Sequence, residues 1–89
     1  MKYIIDLTGV FDKKGLHERL RSSLDLPDYY GNNLDALFDI LTEEGNYWDL
    51  VFVSCGDAFR EMPDYMVRFV QTLADAGDET PGLSVTLIL

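Results

Sequence analysis

Apolar residues recur along this chain with two different periods, and the switches between them mark out its elements. Tyr3 to Leu7 (YIIDL) is short, β-branched and aromatic, which predicts a strand. Asp12 offers an N-cap. Beyond it Leu16, Leu20, Ser23 and Leu24 fall at helical spacing, with Glu18, Arg19 and Arg21 on the opposite side. Gly15 within this segment costs about 1 kcal/mol relative to Ala and weakens the first turn. Leu26 to Gly31 predicts a loop, because Pro27 disfavours a helical Leu26 and Gly31 permits positive φ. Asn32 or Asn33 can cap a second helix with the stripe Leu34, Leu37, Phe38 and Leu41, and Gly45 ends it.

Leu50 to Val53 (LVFV) is apolar at every position, which predicts a strand covered on both faces. Pro63 opens a further helix whose stripe is Met66, Phe69 or Val70, and Leu73, with Gly77 closing it. Leu83 to Leu89 then alternates, with Leu83, Val85, Leu87 and Leu89 on one side and Ser84 and Thr86 on the other. Helical connections between strands imply parallel pairing through right-handed crossovers. The expected architecture is α/β, a three-stranded parallel sheet with three to four packed helices and LVFV as its central strand. No repeat or linker interrupts residues 1–89, so they are read as one domain.

Composition supports a folded core, with 47% apolar and 12% aromatic residues in a chain of 89. The single cysteine, Cys55, excludes an intramolecular disulfide and reads as a small buried hydrophobe at a strand end. A catalytic thiol needs a basic neighbour, and the only histidine, His17, is remote in sequence. His17 itself reads as a partly exposed surface or packing residue on a helix of mixed character. The apolar start of the chain meets Asp6 too early for a secretory signal, and no apolar run approaches the ~18 residues of a membrane span. These features predict a soluble, cytoplasmic protein.

The charge changes the picture most. Sixteen acidic residues stand against seven Lys and Arg, a formal net charge of −9. Such a chain lacks the clustered bases that nucleic acid or an anionic membrane surface requires, and its field attracts a basic partner instead. The surplus is also localised. Ser22 to Phe59 carries Asp25, Asp28, Asp35, Asp39, Glu43, Glu44, Asp49 and Asp57 and no basic residue at all. Asp35, Asp39 and Glu43 stand four apart on the second helix, so they share a face, and each adjacent pair costs about 0.2–0.5 kcal/mol in an isolated helix. Acidic helix faces are often merely solvated. Here the face lies beside Tyr29 and Tyr30, a residue type enriched at interfaces, and no counter-charge lies one turn away, which reads as a docking surface for a cationic cleft.

The stretch Leu26-Pro27-Asp28-Tyr29-Tyr30-Gly31-Asn32-Asn33-Leu34-Asp35-Ala36-Leu37-Phe38-Asp39 closely resembles the signature loop and helix of the barstar family, intracellular inhibitors of barnase-type ribonucleases. The resemblance extends over the whole chain, including Leu16-His17 in the first helix and the apolar C-terminal strand. It implies an immunity protein or antitoxin that plugs the active site of a basic microbial ribonuclease, secreted or delivered, in a 1:1 complex, and is a monomer when free. Asp39 would take the place of an RNA phosphate and accept charge-assisted hydrogen bonds, and Asp35 would contact the edge of the same cleft. Tyr29 would pack against a catalytic histidine, Gly31 would allow close approach, and Asn33 and Leu34 would supply neighbouring contacts. Tyr30, Phe38, Glu43 and Glu44 complete the expected partner-binding set. Blocking a cleft needs no chemistry, so no catalytic residue, cofactor or metal is expected and the chain is read as a non-enzyme.

Departures from the family pattern fall at the rim. Phe38 and Glu44 stand where the prototype has tryptophans, and Thr72, with Asp75 about one turn further on, stands where its last helix offers an acidic contact. Three other readings compete with this one. An acidic DNA mimic, or another protein-binding module for a basic partner, shares the electrostatics and stays open as the alternative. An acyl carrier would need a serine at the start of the second helix and an all-helical chain. A metal or acid–base site on Asp35 and Asp39 lacks a nearby histidine or an EF-hand spacing.

Overall fold

The computed structural model describes all residues from Met1 to Leu89. Its elements follow in the order β1 (Lys2–Asp6), α1 (Lys13–Leu24), α2 (Leu34–Glu44), β2 (Asp49–Val53), α3 (Gly56–Glu61), α4 (Pro63–Glu79) and β3 (Ser84–Leu87). The three strands form one parallel sheet in the order β1-β2-β3, so the LVFV segment is central, as its uniformly apolar sequence predicts. Residues Lys2 to Asp6 pair with Asp49 to Val53, and Asp49 to Phe52 pair with Ser84 to Leu87.

The central strand is nonetheless covered on one face only, which corrects the expectation of burial on both. Leu50 and Phe52 are fully buried, whereas Val51 and Val53 are half-buried and their neighbour Ile4 is 64% exposed. Valine persists on the open face because a β-branched side chain suits the pleat whether or not it is covered. The inner face supplies Ile5, Leu50 and Phe52 to a single core. Helices add Leu16 and Leu20 from α1, Leu37, Ile40 and Leu41 from α2, and Met66, Phe69 and Leu73 from α4. Phe52 and Phe69 meet edge to face with centroids 5.3 Å apart.

Local chemistry explains most boundaries. Asp12 caps α1, accepting from the Gly15 N–H at 2.7 Å, so the turn that glycine weakens is held by its own cap. Gly45 follows the last residue of α2 and returns its N–H to the Leu41 carbonyl. Gly77 does not close α4, which runs on to Glu79. Ala76 is fully buried and carries the Phe69–Leu73 stripe one step further, which outweighs the roughly 1 kcal/mol penalty of an interior glycine. The terminal strand is shorter than its alternating pattern, because Leu89 is 80% exposed beyond the last pairing. Cys55 is fully buried before α3, and burial pushes its thiol pKa up, away from thiolate reactivity.

Candidate functional site

Between α1 and α2 the chain makes a compact loop whose backbone is tied at each end. The Tyr30 N–H donates to the Pro27 carbonyl at 3.0 Å, closing a turn, and Arg21 of α1 donates to the Asp28 carbonyl at 2.9 Å. Asn33 then caps α2. Its side-chain oxygen accepts from the Ala36 N–H at 2.7 Å, and its amide nitrogen donates to the Gly31 carbonyl at 3.1 Å. One side chain thus satisfies a helix terminus and fixes the loop that precedes it. Positive φ falls on Asn32 (φ 53°), not on Gly31 as the sequence suggested. What Gly31 supplies is space, since a Cβ there would sit 3.3 Å from the Asn33 amide nitrogen and 3.4 Å from the Ala36 methyl.

Upon this frame the two tyrosines part company. Tyr29 is 79% exposed, while Tyr30 is 4% exposed, so the expected surface pair is corrected to a single exposed ring. The Tyr30 hydroxyl lies 2.6 Å from Nδ1 of His17, and the Tyr65 hydroxyl lies 2.7 Å from Nε2 of the same ring. His17 is 1% exposed, so of the two roles its sequence suggested, surface or packing, it takes the packing one and is not partly exposed. A neutral imidazole donates from one nitrogen and accepts at the other, so it satisfies one hydroxyl as acceptor and the other as donor. Burial holds the His17 pKa below its usual value and raises that of Tyr30, so all three groups stay neutral at pH 7. Loop, α1 and α4 are joined at one point beneath the tyrosine corner. The sequence carries no local signal for this bridge, because its partners lie 13 and 48 residues from His17.

The acidic face sits outside. Asp35, Asp39, Glu43 and Glu44 are all exposed on α2, and the only salt bridge in the structure, Arg60–Asp57, involves none of them. Asp35 lies in the first turn, where the helix dipole favours an anion. Leu34 and Phe38 are half-buried and pack against the core, so they present edges rather than whole side chains. A groove of about 300 Å³ runs between loop and helix and gathers Tyr29, Gly31, Asp39 and Glu43. Of the expected set, Tyr29, Tyr30, Gly31, Asp39 and Glu43 line this groove and Asn33, Leu34 and Asp35 line a second one at the start of α2, while Phe38 and Glu44 lie outside both. On α4, Thr72 donates its hydroxyl to the Arg68 carbonyl at 2.8 Å, and Asp75 accepts from Gln71 at 2.9 Å, so both are engaged within their own helix. No three His, Cys, Asp or Glu side chains converge on a point that could hold a metal ion, and no helix is long and apolar enough to cross a membrane.

Comparison with known sequences bears on the family of the chain. A Bacillus subtilis protein named "Putative ribonuclease inhibitor YrdF" is 54% identical over 41 residues, a segment that covers 46% of this chain and 45% of that protein. The match therefore spans less than half of the relative's length. The family profile reaches much further, matching residues 1–88. With the signature loop, the parallel sheet and a profile match over almost every residue, this chain belongs to the Barstar (barnase inhibitor) family.

Proposed function

We propose that this protein inhibits a basic ribonuclease by laying the Tyr29–Gly31 loop and the acidic face of α2 into the enzyme's RNA-binding cleft. The observation that carries this reading is the row Asp35, Asp39 and Glu43, exposed and outside any salt bridge beside an exposed Tyr29 on a loop anchored at both ends. Carboxylates held in that way offer an arginine-rich cleft the acceptors that RNA phosphates offer, with little ordering left to do on binding. Asp39 takes the central phosphate position and Asp35 the edge. Tyr29 packs on an aromatic or imidazole group of the enzyme, and Asn33, Leu34 and Phe38 fill the margin. Glu43 and Glu44 extend the negative field along the far end of the helix. Tyr30 contributes by holding the loop rather than by touching the partner.

Such an inhibitor is a 1:1 plug that acts as a monomer in the cytoplasm, as an immunity protein or antitoxin to a secreted or delivered nuclease. The direct test is an RNA-cleavage assay with a panel of small basic ribonucleases, barnase among them, with and without this protein. Stoichiometric loss of cleavage supports the reading. Undiminished cleavage across the panel, or competition with DNA for a DNA-binding protein instead, sinks it.

A further inference from the structure

Beside the acidic face lies its opposite. Of seven basic side chains, Arg19 and Arg21 donate to backbone carbonyls and Arg60 pairs with Asp57. Lys13 of α1 and Arg68 of α4 have neither an ion pair nor a side-chain hydrogen bond, in a chain with more than twice as many acids as bases. Both are exposed and both lie over the ring of Tyr65, with Nζ of Lys13 4.8 Å and Cζ of Arg68 5.2 Å from its centroid. That ring is fixed from below, because the Tyr65 hydroxyl is bound to His17, which also holds Tyr30. The two cations are therefore positioned by cation–π contact on a platform continuous with the inhibitory loop. A groove of about 330 Å³ separates them from Asn33, Leu34 and Asp35 at the start of α2.

We infer that this groove is a second docking point on the same partner, and that it receives an Asp or Glu side chain at the rim of the ribonuclease's cationic cleft. The inference rests on the inhibitor reading above. Because the groove shares Asn33, Leu34 and Asp35 with the acidic docking face, an enzyme that covers one covers the other. Two cations pressed against a basic enzyme without a match would be repelled, since like-charge juxtaposition opposes association. A carboxylate matches them, and Arg68 can grip it with two N–H donors. Along the surface the order of charge is acid, then base, so the partner must present base, then acid. That order fixes the rotation of the enzyme about the plug and restricts which ribonucleases fit.

The test compares the wild type with K13Q, R68Q and K13Q/R68Q against whichever ribonuclease of the panel the wild type inhibits. The residues are exposed, and thermal unfolding followed by circular dichroism establishes that each variant is folded. Removing two positive charges makes the inhibitor more negative, so general steering alone predicts faster association and equal or tighter inhibition by K13Q/R68Q. The docking point predicts the reverse, a loss of about tenfold in inhibition. Neutralising rim carboxylates of the enzyme one at a time should reproduce that loss at a single position, with no further loss in K13Q/R68Q. Unchanged or tighter inhibition by K13Q/R68Q overturns the inference. D39A is measured alongside: if it loses inhibition while K13Q/R68Q does not, only the docking point falls. If D39A inhibits like the wild type, or the wild type inhibits nothing, the plug reading itself falls.

Discussion

Two polar groupings meet at the Leu26–Asn33 loop, and they obey opposite rules. Beneath it, His17, Tyr30 and Tyr65 are buried, uncharged and mutually satisfied, each hydroxyl placed against one ring nitrogen. Above it, Asp35, Asp39 and Glu43 are exposed, charged and without partners. Buried polar groups persist only when satisfied, whereas an unsatisfied charged row is tolerated in water at modest cost. The inner grouping should therefore govern stability, and the outer one binding. Substitutions that separate the two effects are the sharpest way to test the division.

The largest effect is expected beneath the loop. His17→Ala removes a fully packed ring and leaves two buried tyrosine hydroxyls without partners, which should lower the unfolding free energy by about 2–5 kcal/mol in urea denaturation. A loss below about 1 kcal/mol would show that the bridge is dispensable. Asp39→Ala should do the converse. It is expected to weaken the complex with the inhibited ribonuclease by about 2–5 kcal/mol, because a cationic group of the enzyme then loses its partner in a desolvated cleft. Its own unfolding free energy should stay within about 0.5 kcal/mol of wild type. The informative quantity is the separation between the effects on binding and on stability rather than the size of either. A large stability loss in Asp39→Ala would blur the comparison.

How far the sequence discloses these two groupings follows from the range of the interactions involved. The acidic row is legible because its members are four residues apart and a helix places them on one face. Asp12, Asn33 and Gly45 are legible for the same reason, since caps act within a single turn. The bridge is not, because nothing near His17 announces Tyr65, which is 48 residues away. Nor is the separation of Tyr29 from Tyr30, which depends on where His17 ends up. The open sheet face is likewise hidden: Val51 and Leu50 look alike in sequence, and only the side on which the helices pack distinguishes them. Gly77 fails as a stop signal because Ala76, with no distinctive chemistry, has a buried place to go.

An intermediate effect should appear on acidification. Burial lowers the His17 pKa below 6.5, so between the folded and unfolded values the unfolded chain binds the extra proton. Stability is then fully present above pH 6.5 and falls as pH drops through that window, by at most about 1.4 kcal/mol per pH unit. The facing groups reinforce the direction: Tyr30 and Tyr65 bring no anion, and Lys13 and Arg68 lie over Tyr65 as further positive charge. Asp6 has its pKa lowered by hydrogen bonds from Thr8, so its contribution is lost only at lower pH and does not overlap. Urea midpoints measured from pH 7 to pH 5 should fall for the wild type. A His17→Gln variant, less stable throughout, should be flat over that range. Parallel curves would remove His17 as the cause.

The smallest effect is the one that tests the outer row most directly. If Asp35, Asp39 and Glu43 are kept for a partner rather than for the fold, removing a charge should leave the free protein no less stable. The gain should also depend on position along α2. Asp39→Asn relieves two neighbouring repulsions, each about 0.2–0.5 kcal/mol. Glu43→Gln relieves one, together with an unfavourable contact with the negative end of the helix dipole, of about 0.3–1 kcal/mol. Asp35→Asn relieves one repulsion but gives up a favourable dipole interaction in the first turn, so the two nearly cancel. Thermal unfolding at low ionic strength should therefore rank Asp39→Asn and Glu43→Gln above wild type, with Asp35→Asn close to it. At 1 M salt, where screening acts over about 3 Å, the differences should collapse. Destabilisation by Asp39→Asn or Glu43→Gln would mean that these carboxylates serve the fold, and the division between the two groupings would be lost.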